Sequence, residues 1–176
     1  MSLNINGDFS DPNYRYRMPI LEITQTGSGK NSHTILTNIK DIAVSLGQSD
    51  IIIPKFIGIK LGTNVDNKNN SVKGHYTTET LQTEIFDYIN RFVICGNCTI
   101  PELIPQLEKI SKKKKQVKFK CSACGNFTEI KEDKVGKKVV DNIAKMIEKG
   151  EWKIKKGTIV NENLHKITTD FDLFNL

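Results

Sequence analysis

Two CxxC motifs, CGNC at Cys95 and Cys98 and CSAC at Cys121 and Cys124, constrain this chain more than any other feature. Each motif puts two thiols on one tight backbone knuckle, and two knuckles supply the four thiolates of a closed tetrahedral Zn²⁺ shell. The 22 residues between Cys98 and Cys121 exceed the usual short spacing slightly, but the donor chemistry is unchanged. Gly96 and Gly125 are expected to ease the two turns. Four thiolates leave no open position for water, so the expectation is one structural Zn²⁺ per chain, on a ribbon of two hairpins. Redox-active pairs and idle core cysteines are the competing readings, and two matched knuckles favour the metal.

Composition narrows what surrounds the ribbon. A chain of 176 residues is one domain, or two small ones with separate cores. A net charge of +6 and a pI near 9.1 favour an acidic partner, nucleic acid before an anionic membrane surface. No apolar run approaches the ~18 residues of a membrane span. The start, MSLNINGDFS, has neither the basic residues nor the apolar stretch of a secretory signal. A cytoplasmic protein with no membrane partner is the expectation. In that reducing compartment cysteines are metal ligands more often than disulfides.

Hydrophobic periodicity divides the chain further. Residues 1–18 read as an extended arm that adds little to any core. ILEIT alternates like a half-buried strand and pairs with HTILTNI across QTGSGKNS. Asn38 is placed to cap a helix, with Asp41 as a weak capping box. Ile39, Ile42, Ala43 and Leu46 share one face of that helix and Gly47 ends it. IIIPKFIGIKLG is an apolar run interrupted by Pro54 and Gly58, and its conformation stays open. LGTNV and SVKGHY form a hairpin around DNKNN. From about Thr78, Leu81, Ile85, Tyr88, Ile89 and Phe92 recur at helical spacing, with Glu79 in the first turn. Val139, Val140, Ile143, Met146 and Ile147 mark a later helix closed by Gly150.

The fold class expected is α+β: a small two-layer sheet-and-helices domain, a four-cysteine zinc ribbon and a short C-terminal extension. The boundaries are an arm over 1–18, the α+β domain over 19–92, the ribbon over 93–130, and a helix and tail over 131–176.

Three features are weighed against chemistry. EKISKKKKQVKFK carries seven lysines, either a solvated loop or a track along a phosphate backbone. GSGK (Gly27 to Lys30) is no P-loop, because Thr24 stands where a glycine is needed and Asn31 follows the lysine. It reads as a glycine hairpin loop. His33, His75 and His165 are scattered, and no nucleophile motif appears.

The arm motif SDPNYRYRMP carries a resemblance, together with TNIKDIAVSL, PKFIGIKLGT, VKGHY, LQTEIFDYINRFVIC and the two knuckles. From the terminus to about Ile130 the chain resembles the N-terminal domain of eukaryotic translation initiation factor five. The beta subunit of translation initiation factor two has a similar layer and ribbon but lacks the YRYxMP arm. The resemblance implies a protein that promotes GTP hydrolysis by initiation factor two on the small ribosomal subunit, near initiator tRNA and mRNA, with no active site of its own. It implies that Arg15 is the activating arginine, acting in trans, flanked by Tyr14, Tyr16 and Arg17. Lys55 matches a family lysine; a second is replaced by His33, with Lys30 in the same loop as a substitute. Family members also carry a C-terminal helical-repeat domain, which this sequence does not reach. The segment from Lys131 matches nothing in the resemblance. Its end, TTDFDLFNL, reads as a docking peptide or as a terminus packing Phe171 and Phe174 on its own core.

In an extended arm side chains alternate faces, so Tyr14 and Tyr16 point one way and Arg15 and Arg17 the other. That geometry suits a guanidinium presented to a phosphate. The rival readings are an RNA- or ribosome-binding module and a short competitive regulator.

Overall fold

The computed structural model describes residues 2–5, 11, 13–111 and 115–152. Ser10 and Pro12 of the arm motif, Lys112 to Lys114, His165 and the TTDFDLFNL end lie outside the described residues.

The arm forms a small hairpin. β1 (Ser2–Asn4) pairs antiparallel with β2 (Arg17–Pro19), Leu3 opposite Met18. Ile5 and Met18 are both 1% exposed. The arm therefore contributes apolar side chains to the core, where the sequence reading has it adding little. β3 (Ile23–Thr26) and β4 (His33–Leu36) pair as expected across the GSGK loop, which holds a short 3-10 turn at Gly29–Asn31.

α1 (Ile39–Ser45) buries Ile39, Ile42 and Ala43. Asn38 sits at its cap position but makes no side-chain cap. Its Oδ1 instead accepts the Glu22 N–H at 2.9 Å, and its Nδ2 donates to the Ile20 carbonyl at 2.7 Å. The polar side chain stitches the segment after β2 to α1, and this long-range use outcompetes the local cap.

The undecided apolar run is a helix, α2 (Ile52–Leu61), with Ile52, Ile53, Pro54, Phe56, Ile57 and Gly58 buried. Pro54 falls in its first turn, where backbone N–H groups have no intrahelical acceptor, so the missing donor costs nothing. α2 packs on α3 (Thr78–Phe92) and α4 (Lys134–Glu148), and against β5 (Val65–Asp66) and β6 (Ser71–Lys73). β5 and β6 complete a four-stranded antiparallel sheet in the order β3-β4-β6-β5. Thr77 caps α3 by accepting the Thr80 N–H.

The ribbon is a three-stranded antiparallel sheet of β7 (Leu103–Lys109), β8 (Lys115–Cys121) and β9 (Phe127–Thr128). Its core is continuous with that of the layer. Phe56, Tyr88, Phe92 and Phe119 form an aromatic column, with centroids 5.4 Å apart for Phe56–Tyr88, 5.3 Å for Tyr88–Phe92 and 6.1 Å for Phe92–Phe119. The buried Tyr88 hydroxyl donates to Gln48 Oε1 at 2.8 Å, and Gln48 Nε2 donates to the Leu103 carbonyl at 3.3 Å. The Leu103 N–H in turn reaches the Val93 carbonyl at 3.0 Å.

α4 is held to the end of α3 by one carboxylate. Asp133 Oδ1 accepts the Gly136 N–H at 2.6 Å as the helix cap and the Arg91 Nη2 at 2.7 Å. The Gly136 N–H and the Arg91 guanidinium hold the Asp133 carboxyl below its usual range. This stabilising contribution is present above the unfolded carboxyl range and is lost as pH falls through the folded value. A Cβ on Gly136 would lie 2.2 Å from the Lys131 carbonyl oxygen and 3.2 Å from Asp133 Oδ1. A helical Gly→Ala change ordinarily gains about 1 kcal/mol. Here Gly136→Ala is expected to lose about 1–3 kcal/mol, because a backbone oxygen must move. Urea denaturation measures it, and a gain would mean that the segment before α4 yields freely.

Candidate functional site

The two knuckles are built alike. The Cys95 N–H donates to the Ile100 carbonyl at 3.0 Å and the Cys121 N–H to the Asn126 carbonyl at 2.9 Å, five residues on in each case. The Thr99 N–H returns to the Cys95 carbonyl at 3.0 Å and the Gly125 N–H to the Cys121 carbonyl at 2.9 Å. Thr99 is thus the counterpart of Gly125, and both have left-handed backbones, φ 59° and 75°. Gly125 does what the sequence reading asks of it. Gly96 does not, because the left-handed position of its knuckle is Thr99. Gly96 provides close approach: its N–H donates to Thr128 Oγ1 at 3.1 Å, and a Cβ there would lie 3.3 Å from Thr128 Cγ2.

The knuckles bring the four sulfurs within 4.8 Å of one another. Cys95 and Cys124 Sγ are 3.7 Å apart, and Cys98 and Cys121 Sγ 3.6 Å. These separations are far from a disulfide bond. They match the roughly 3.8 Å edge of a tetrahedron with ~2.3 Å metal–sulfur bonds. The donor set and its geometry fit a four-coordinate metal ion. Among the described residues it is the one cluster of three or more His, Cys, Asp or Glu side chains close enough to share an ion.

Neighbouring groups tune the thiols. Burial raises the Cys95 thiol, but hydrogen bonds from the Cys98 and Asn97 backbone, the Thr128 hydroxyl and Cys124 bring it down to about 6. Burial pushes Cys121 up to about 12. The Asn126 backbone hydrogen bond leads in holding Cys124 down. At Cys98 the Ile100 backbone hydrogen bond is outweighed, chiefly by burial, and the thiol is raised. Two thiols are thus shifted down and two up, and a bound cation would favour the thiolate form of all four.

The arm meets the ribbon just before the ribbon's first strand. Tyr14 and Tyr16 are half-buried while Arg15 and Arg17 are exposed, the alternation expected of an extended segment. The tyrosine rings meet edge-on, 6.0 Å between centroids. Arg15 Cζ lies 5.5 Å from the Tyr16 ring centroid. The Tyr16 hydroxyl donates to Glu102 Oε1 at 2.5 Å, crossing from the arm to the ribbon.

The basic candidates lie elsewhere. Lys30 is exposed in the turn between β3 and β4, and His33 opens β4 opposite Lys73. Lys55 is half-buried in the first turns of α2. Of the lysine run, Lys115 bridges to Glu148 and Lys118 to Glu108, each at 2.6 Å, so part of its charge is met within the chain. No helix among the described residues is long and apolar enough to cross a membrane.

The match to known proteins covers both the arm motif around Arg15 and the cysteine cluster. A family described as the domain found in initiation factors 2B and 5 matches residues 6–127, a span that includes Arg15 and all four cysteines. The chain belongs to this family. Eukaryotic translation initiation factor 5 of Dictyostelium discoideum is 35% identical over 130 residues, 73% of this chain and 32% of the relative. The protein of that name from Saccharomyces cerevisiae is 36% identical over 132 residues, 73% and 32% of the two chains. That from Caenorhabditis elegans is 31% identical over 175 residues, 97% and 34%. The chain spans about a third of the length of these curated relatives. The last alignment also corrects the sequence reading, since it extends into the segment after residue 130 that was matched to nothing. Within the matched domain, the fold and the cysteine cluster agree with the α+β layer and ribbon expected from the sequence.

Several residues around the site escape a motif search. Asn97 and Thr128 donate to the cysteine sulfurs, at 3.4 Å from the Asn97 N–H and 3.6 Å from Thr128 Oγ1 to Cys95 Sγ. Glu102 has no local signal at all. Thr99 had one: superposing CGNCT on CSACG puts it opposite Gly125. A β-branched residue in the left-handed region costs of order 1–3 kcal/mol. Thr99→Gly is therefore expected to stabilise the ribbon by about 1 kcal/mol, and Gly125→Thr to destabilise it. Thermal unfolding of the two variants tests this, and a destabilised Thr99→Gly would assign the strain to a compensating contact.

Proposed function

We propose that this chain acts in translation initiation, promoting GTP hydrolysis by initiation factor two on the small ribosomal subunit during start-codon recognition. It serves as an activator and leaves the chemistry to its partner's active site. The observation that carries this reading is the placement of Arg15, exposed between two half-buried tyrosines on an arm that packs into the core. Phosphoryl transfer to water builds negative charge on the γ-phosphate and the bridging oxygen. A guanidinium supplied in trans stabilises that charge, and in other GTPases such a residue is worth about 10³–10⁵ in rate. Likeness to proteins named eukaryotic translation initiation factor 5 supports the same role.

In this reading Tyr14, Tyr16 and Arg17 flank the contact with the GTPase. Lys30, His33 and Lys55 face initiator tRNA and mRNA near the decoding site, in the cytoplasm. Cys95, Cys98, Cys121 and Cys124 hold one structural Zn²⁺, which four thiolates close to water. Metal analysis is expected to give one zinc per chain, and chelation is expected to lower the unfolding temperature of the whole protein. The reason is that Cys95, Cys121, Val117 and Phe119 are buried in the same cluster as the α+β layer. Absence of zinc from native protein overturns the assignment.

Arg15→Ala is expected to abolish stimulated hydrolysis while leaving fold and ribosome binding nearly unchanged. Arg15→Lys should recover only part, because an ammonium lacks the planar fork that bonds two phosphate oxygens together. Arg17→Ala should cost much less. Single-turnover hydrolysis at saturating protein separates lost chemistry from weakened binding. A wild-type rate for Arg15→Ala would replace this reading with that of an RNA- or ribosome-binding module.

A further inference from the structure

We propose that Glu102 is the positioning residue for Arg15, acting through the Tyr16 hydroxyl. The inference rests on the reading that Arg15 acts in trans. It begins with how firmly Glu102 is itself held. Its N–H donates to the Ile100 carbonyl at 2.9 Å, the carbonyl that also accepts the Cys95 N–H. Its own carbonyl accepts the Ser122 N–H at 3.0 Å. The backbone of Glu102 is thus bonded to both cysteine knuckles, one on each side.

From there the side chain reaches the arm. Tyr16 is fixed at several points: the hydroxyl on Glu102, the ring edge-on to Tyr14, and the carbonyl, which accepts the Ile5 N–H at 2.8 Å. Ile5 is buried, so that last bond ties the arm to the core. The Arg15 guanidinium lies against this immobilised ring. An aromatic ring beside a guanidinium limits its rotamers while the residue stays exposed. An arginine held this way loses less freedom when it meets a phosphate than one on a loose terminus.

A carboxylate suits the task better than a neutral acceptor. Phenol-to-carboxylate hydrogen bonds are short and roughly twice as strong as neutral ones. Burial, helped by Glu102, pushes the Tyr16 phenol up to about 12, so it remains a donor throughout the physiological range.

Tyr16→Phe removes one oxygen and keeps the ring; Glu102→Gln keeps an acceptor and removes the charge. Both variants and Arg15→Ala are compared with wild type in single-turnover GTP hydrolysis by initiation complexes across a range of protein concentrations. Zinc content and unfolding temperature are measured alongside. The expected result is a maximal rate about tenfold lower for Tyr16→Phe and Glu102→Gln, with the half-saturating concentration unchanged. The double variant should be no worse than Tyr16→Phe alone, because once the Tyr16 hydroxyl is gone the Glu102 charge has no donor left to hold. The Arg15 Nε–H NMR signal, displaced by the Tyr16 ring current in wild type, should move towards its free-arginine position in both variants.

Wild-type maximal rates in both variants, with Arg15→Ala inactive, overturn the positioning role and leave the activating role intact. A raised half-saturating concentration at unchanged maximal rate also overturns it, by making Glu102 a partner contact. A wild-type rate for Arg15→Ala overturns the activating role and this inference with it.

Discussion

The contact between Phe92 and Phe119 decides how the molecule is assembled. Phe92 ends α3 and belongs to the α+β layer, whereas Phe119 stands two residues before Cys121 of the four-cysteine cluster. Both are buried, and the column they close runs back through Tyr88 to Phe56 on α2. Each aromatic pair adds about 0.5–1.5 kcal/mol beyond the area it buries. The buried Tyr88–Gln48–Leu103 bridge lies beside this column and requires correct alignment, since an unpaired polar group there would cost about 1–3 kcal/mol. A ribbon joined through dry aromatic packing and a satisfied polar bridge has its orientation fixed with respect to the sheet. The cysteine knuckles inherit that orientation.

Legibility followed the distance over which each signal acts. α1, α3 and α4 each carry an apolar stripe against polar residues, and their buried apolar side chains are among those the periodicity selects. α2 has no such contrast, because it is buried among α3, α4, β5 and β6. A helix covered on most sides loses the amphipathic period that would identify it, and Pro54 and Gly58 make it look broken. The knuckles were legible because two cysteines three residues apart are a local pattern. Asn38 misled for the converse reason: a residue suited to a local cap was used for bonds to Ile20 and Glu22. Glu102 was invisible, since its partner Tyr16 is 86 residues away and nothing in either neighbourhood refers to the other.

The knuckle pair also illustrates how sequence and strain relate. Gly125 and Thr99 answer the same backbone demand, one at no steric cost and the other against its preference. Thr99 persists there because the surrounding bonds over-determine its conformation: its N–H returns to Cys95, and its Oγ1 reaches the Cys98 carbonyl at 2.7 Å. The Cys95–Ile100 bond of this knuckle shares its acceptor with Glu102. The strained turn and the arm contact are therefore neighbours in one hydrogen-bonded unit.

That unit suggests why a four-cysteine cluster and an exposed arginine occur on one small scaffold. In the proposed reading, four thiolates enclosing an ion would leave no site for substrate, and their role would be to hold backbone. The backbone they hold includes Glu102, and Glu102 meets the arm. An arginine that works on a partner must stay exposed, and an exposed long side chain carries about 2 kcal/mol of rotamer entropy that docking would have to remove. Core burial cannot remove it beforehand without hiding the charge. A tyrosine anchored by its hydroxyl and lying beside the guanidinium can, because it restrains the arginine from the side while the residue stays exposed. On the proposed reading, rigidity generated in the ribbon is in this way delivered to a group that never enters the core.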